Sequence, residues 1–154
     1  MHAKKNIRKP FKAIAKRRNV FVDANVIIDY LLSRKQYTRH ATVLIEQAPL
    51  FSTILYVCSY SFAIAYHHMR NEKIPHKFAI SVLEKLFSKV NILPVNHVII
   101  QQALKSGFTD FEDAIQYFCA LQVPECEAII TQNSSDFALS SIPVFRPQKF
   151  SFQD

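Results

Sequence analysis

The chain has 154 residues, 49% of them hydrophobic and 20% charged, a composition that fits one packed globular domain and argues against a disordered segment. Its single glycine, Gly107, excludes a glycine-rich phosphate loop, and no run of 18 apolar residues is present to suggest a membrane span. The net charge of +7 is local: residues 1–18 hold eight of the 19 basic residues and no acid, and the other 136 residues carry 11 basic against 12 acidic groups, a body close to neutral at −1.

Residues 1–18 are therefore expected to form a flexible basic tail. Its Lys4, Lys5, Arg8, Lys9, Arg17 and Arg18 are candidates for holding nucleic-acid phosphates by counterion release. The tail lacks the apolar centre of a secretory signal, and its scarcity of serine and Pro10 disfavour a transit peptide. Cys58, Cys119 and Cys126 are odd in number, scattered and set in apolar sequence. That usage fits reduced core thiols in a cytoplasmic protein better than a disulfide framework.

Beyond the tail, a domain is expected over 19–150, with a short C-terminal tail at 151–154. Short apolar runs alternate with segments of helical period, the pattern of an α/β sheet. Val20 to Asp23 reads as the first strand, and Asn25 as the N-cap of a helix carrying Ile27, Ile28, Leu31 and Leu32. A second helix is expected from Thr38 to Gln47, ended by Pro49. Leu50 to Ile54 reads as a second strand leading into a long helix through Arg70, and Pro75 opens the next helix, with its stripe of Phe78, Val82, Leu83 and Leu86. Asn91 to Val95 reads as a strand demoted towards an edge by Pro94, and a short helix follows through Leu104. The stretch GFTDFEDAIQYFCALQ then offers a capping box, Thr109 with Glu112, for a helix directing Ala114, Ile115, Phe118, Cys119 and Leu121 inward. Ala128 to Thr131 and Ile142 to Phe145 complete a set of four to five strands.

Ligands of an open parallel α/β sheet bind outside the carboxyl ends of its strands. Asp23 ends the first strand, Ser52 and Thr53 lie near the end of the second, and Thr131, Asn133 and Asp136 follow the fourth. Asp110 and Asp113, three residues apart, share one helix face. Carboxylates gathered without cations raise each other's pKa, a conflict that a divalent cation removes. Oxygen ligands suit Mg²⁺ or Mn²⁺, and such an ion supports hydrolysis of a phosphodiester. An acid at the end of the Val-Phe-Val run is costly to bury without a partner, which favours a functional role for Asp23. For Asp110 and Asp113 the plainer reading, complementing a helix dipole, competes with a metal role. Glu112 reads as a capping partner, and His67 and His68, adjacent on a helix, make a poor metal pair.

Taken together, VFVDANVIIDYLL, DFEDAIQYFCA and AIITQNSSDFALSSIPVFRPQKF resemble a PIN domain, the small α/β nuclease fold of VapC-type toxins. The resemblance runs from about Asn19 to Phe150. It implies a three-layer α/β/α fold with a short, mostly parallel sheet, and a Mg²⁺- or Mn²⁺-dependent endoribonuclease belonging to a type II toxin–antitoxin pair. It further implies a homodimer, an RNA substrate, a small antitoxin partner and no membrane. Residue by residue, it carries metal and catalytic roles to Asp23, Asp113 and Asp136, and supporting roles to Asn133 and Thr131.

One part of the family pattern is missing. Many members place a Glu on the helix after the second strand, in a pattern like S-x-x-T-x-A-E. Here the stretch reads CSYSFAIAYHH, with Ile64 at the aligned position. Asp110 is the candidate to supply the lost negative charge, as a supplementary metal ligand. The alternative is a catalytically weak module that binds RNA or a protein partner.

Overall fold

The structure, a computed structural model, describes residues 16–33 and 36–153. Lys4, Lys5, Arg8 and Lys9 lie outside them. Five strands form one sheet: β1 (Arg18–Val22), β2 (Thr53–Cys58), β3 (Asn91–Leu93), β4 (Cys126–Ile130) and β5 (Val144–Phe145). Their order is β3-β2-β1-β4-β5, and every pairing is parallel. The helices are α1 (Ala24–Leu32), α2 (Thr38–Gln47), α3 (Ser59–Asn71), α4 (His76–Phe87), α5 (His97–Leu104) and α6 (Phe111–Ala120). Among the described residues no helix is long and apolar enough to cross a membrane.

The two-residue period of the strands divides the core. Val20 and Val22 of β1, Leu55 and Val57 of β2, and Ala128 and Ile130 of β4 face one side, where α1 and α2 supply Ile27, Ile28, Leu44 and Ile45. Phe21 and Ile129 face the other, against Ile99 of α5 and Ala114, Ile115 and Cys119 of α6. Helices on both faces make the expected three-layer α/β/α sandwich. Burying an aliphatic side chain contributes roughly 1.5–3 kcal/mol, so the two clusters are the main source of stability.

Several elements differ from their expected bounds. β1 begins at Arg18, a residue assigned to the tail. Its guanidinium donates to Glu127 Oε2 at 2.7 Å and to the Ser151 carbonyl at 3.0 Å, and lies 5.1 Å from the Phe150 ring centroid. That arrangement seats Arg18 at the amino edge of the sheet, away from any strand's carboxyl end. Lys16 and Arg17 are exposed.

Leu50 and Phe51 belong to a 3₁₀ turn, Ala48–Phe51, and Ser52 adopts a left-handed conformation (φ 53°). The strand starts only at Thr53, so Ser52 and Thr53 sit at the amino end of β2, opposite the edge on which they were expected. The helix after β1 is capped by Asp23, in extended conformation (φ −66°, ψ 149°), and Asn25 lies inside it. Asp110 caps α6 instead of Thr109, its Oδ1 accepting from the amides of Glu112 at 2.8 Å and Asp113 at 3.2 Å. Glu112 does not reach back to close a capping box; it accepts from the Tyr60 hydroxyl at 3.0 Å. Leu121 is 43% exposed, outside the stripe expected to point inward. Cys58 and Cys119 are buried and Cys126 is half-buried, all three unpaired as thiols.

Candidate active site

The sheet order reverses direction at β1: β2 and β3 lie on one side of it, β4 and β5 on the other. A crevice opens outside the carboxyl ends of strands at such a point, here between β1 and β4. Strand register fills it. Phe21 pairs with Ile129 and Val22 with Ile130, so the next residues, Asp23 and Thr131, face each other just past the strand ends. By alternation both side chains fall on the Phe21–Ile129 side, beneath the start of α6.

Asp23 has no exposed surface. Its Oδ2 accepts from Thr131 Oγ1 at 2.7 Å, and its Oδ1 accepts from Gln116 Nε2 of α6. Gln116 Oε1 in turn accepts from the Ala24 amide at 2.8 Å, which fixes the amide's orientation and ties α6 to the β1–α1 junction. Burial pushes the Asp23 pKa up; the hydrogen bonds from Thr131, Gln116 and the amides of Asn25 and Ala24 act in the opposite direction. The cost of burying this acid is thus only partly offset by neutral donors.

Asp113 is half-buried one helical turn before Gln116 on the same face. Its pKa is pushed up to about 7, first by desolvation and then by the negative charges of Asp23, Asp110, Asp136 and Glu112. Asp23, Asp110, Asp136 and Glu112 thus lie near enough for their charges to act on Asp113. Asp136 is exposed on a 3₁₀ turn, Ser134–Phe137. Asn133, also exposed, donates its amide to Thr131 Oγ1 at 3.2 Å. None of the five acids has an ion-pair partner among the described residues, where the ion pairs are Arg18–Glu127 and Lys89–Glu46.

Such a donor set, hard oxygens with unbalanced negative charge, fits a divalent cation. No group of three or more His, Cys, Asp or Glu side chains among the described residues stands close enough to clasp an ion unaided. The fit is consequently to an ion that takes one or two carboxylates and completes its shell with water and substrate oxygens, as Mg²⁺ does. Ile64, where the sequence pattern leads one to expect a Glu, is half-buried on α3 and lines a hollow of about 380 Å³ with Tyr60, Ala63, His67, His68 and Glu112. The nearest acid in that hollow comes from α6.

Two site residues escaped the sequence reading. Gln116 shows only a faint signal, a polar residue flanked by core positions in the DAIQYFCA stripe. Asp29 of α1 is 2% exposed and accepts from Gln132 Nε2 at 2.9 Å at the same edge of the sheet. The rings of His67 and His68 on α3 lie 6.2 Å apart and are inclined by 79°.

A family profile described as PIN domain matches residues 19–135. The chain belongs to the PIN-domain family. No curated protein matches it at the sequence level. Solved structures share the fold: VapBC2 from Rickettsia felis, described as bound to a DNA fragment from their promoter, has a TM-score of 0.59 at 12% identity, over 83% of this chain and 98% of that one. FitAcB from Neisseria gonorrhoeae has a TM-score of 0.57 at 20% identity, over 85% and 99%. VapC20 from Mycobacterium tuberculosis, described as a sarcin–ricin loop cleaving toxin, has a TM-score of 0.56 at 14% identity, over 71% and 86%.

Proposed function

We propose that this protein is a Mg²⁺- or Mn²⁺-dependent endoribonuclease, the toxin of a type II toxin–antitoxin pair acting in the cytoplasm as a homodimer. The observation that carries the reading is the half-buried Asp113 at the strand-order reversal, its pKa raised to about 7 first by burial and then by the charges of four neighbouring acids. Family membership and the fold shared with VapC20, a sarcin–ricin loop cleaving toxin, and with VapBC2 support it. Exposed apolar side chains, Phe78 and Phe87 on α4 and Val98 and Leu104 on α5, offer surface for a second copy or an antitoxin.

In this reading Asp23, Asp113 and Asp136 form the metal site, one or two of them binding the ion directly and the rest through its water, and Asp110 adds negative charge from its capping position. A bound divalent ion would lower the pKa of water and stabilise the leaving oxygen of a phosphodiester. The chain's own contribution is positioning. Gln116 and Thr131 hold the Asp23 carboxylate against rotation, and Thr131 is itself fixed by the Asn133 amide. Asp113 must lose its proton to become a ligand, so cleavage should rise with pH through the neutral range.

A second reading, a catalytically weak RNA-binding module, is favoured by Ile64 and by the lack of three clustered ligands. Incubation of structured RNA with wild-type protein and with Asp23→Asn, with Mn²⁺ or with chelator, separates the two. The nuclease reading expects cleavage only by wild type with metal; intact RNA in every lane, with binding unaffected by chelator, supports the second.

A further inference from the structure

Beside the carboxylates lies a second, differently built cavity of about 260 Å³ lined by Asn25, Asp29, Tyr37, Gln132, Asn133 and Arg146. It opens on the same sheet edge, because Asn25 lies two residues beyond Asp23 and Asn133 two beyond Thr131, while Arg146 follows β5 directly. Its lining holds three amides, a phenol, a guanidinium and a carboxylate, with no aliphatic side chain. That is a poor seat for an apolar helix and a good one for a polar ligand. Arg146 is exposed and has no ion-pair partner among the described residues, which leaves its planar donor fork available to a phosphate. Asp29 is almost fully buried, and Gln132 donates to its Oδ2 at 2.9 Å, so this amide is held in place before any ligand arrives.

We infer that this cleft is the subsite for one unpaired RNA nucleotide next to the scissile phosphate, with Arg146 on that nucleotide's own phosphate and Tyr37 and the amides of Asn25 and Gln132 on its ribose and base edges. The inference rests on the ribonuclease reading above and names what holds the strand. The cavity has room for a single nucleotide and not for a duplex. Sequence-reading of RNA is done on unpaired nucleotides whose base edges are free for hydrogen bonding.

The test uses a fluorescently labelled single-stranded RNA of mixed sequence, titrated at several salt concentrations in chelator so that no turnover intervenes. Against wild type, Arg146→Ala should bind about tenfold more weakly, with the slope of log affinity on log salt smaller by about 0.7. Arg146→Lys should keep the slope while losing part of the affinity. Tyr37→Phe should lose a few-fold with the slope unchanged. With Mn²⁺, Arg146→Ala should raise KM and leave kcat near its wild-type value. Unchanged affinity and slope in both Arg146→Ala and Tyr37→Phe, from protein that melts as wild type does, overturns the subsite even if wild type cleaves. Arg146-dependent binding without any cleavage keeps the subsite and overturns the nuclease. Neither binding nor cleavage by wild type overturns both.

Discussion

The two edges of the sheet handle charge in opposite ways. At the amino edge Arg18 meets Glu127 at 2.7 Å and stacks over Phe150, so each charge has a partner within the chain. At the carboxyl edge burial and the charges of Asp23, Asp110, Glu112 and Asp136 together raise the pKa of Asp113, and the buried Asp23 is held by neutral donors alone, a threonine hydroxyl, a glutamine amide and two backbone amides. A chain built for stability alone would repeat the first arrangement. The second stores repulsion that an external cation relieves, which is how sites and scaffolds differ in their use of the same residue types.

That contrast can be broken from its stronger side first. Asp23→Asn should abolish metal-dependent RNA cleavage, measured by gel assay, while the fold survives, because an amide keeps the shape and can still bond Thr131. Next in size, Gln116→Leu should destabilise the protein by about 1–3 kcal/mol in denaturant melts, since it strips a donor from a buried acid. It should also weaken cleavage, by loosening the Asp23 carboxylate.

Asp113→Asn tests the stored repulsion. A folded-state pKa near 7 lies above the ordinary 3.8, so the folded form binds the proton more tightly, and stability contributed by this group falls as pH rises from about 4 to 7. Replacing the acid with Asn should flatten that decline and raise Tm at pH 8 without metal, while cleavage is lost. An unchanged or lower Tm at pH 8 would contradict the electrostatic account. At the amino edge, Glu127→Gln should cost no more than about 1 kcal/mol, a loss that shrinks with salt, and should leave cleavage intact.

Much of the carboxyl edge was legible in the sequence because a strand followed by an acid or a hydroxyl is a local pattern, and parallel topology does the rest. Asp23 and Thr131 needed only the rule that strand ends open into one crevice. Gln116 was not legible, because its meaning comes from a partner 93 residues away. The second strand was misplaced for a related reason. Leu50 to Cys58 is a nearly unbroken apolar run with no period to separate strand from turn, and the left-handed Ser52 that marks the start leaves no signature of its own. The capping assignment failed where Thr109 and Asp110, adjacent and both good caps, compete for the same amides; the carboxylate won two of them. Arg18 was placed in the tail by its charge, although charge carries no information about where a strand begins.

The most direct measurement of the central claim is the uptake of Mn²⁺, followed by loss of the free-ion EPR signal on titration into wild-type protein and into Asp113→Asn at pH 8. The account predicts that wild type binds the ion and that the variant binds it at least tenfold more weakly, in line with the loss of a carboxylate ligand. Equal uptake by both proteins, or none by wild type, would contradict it.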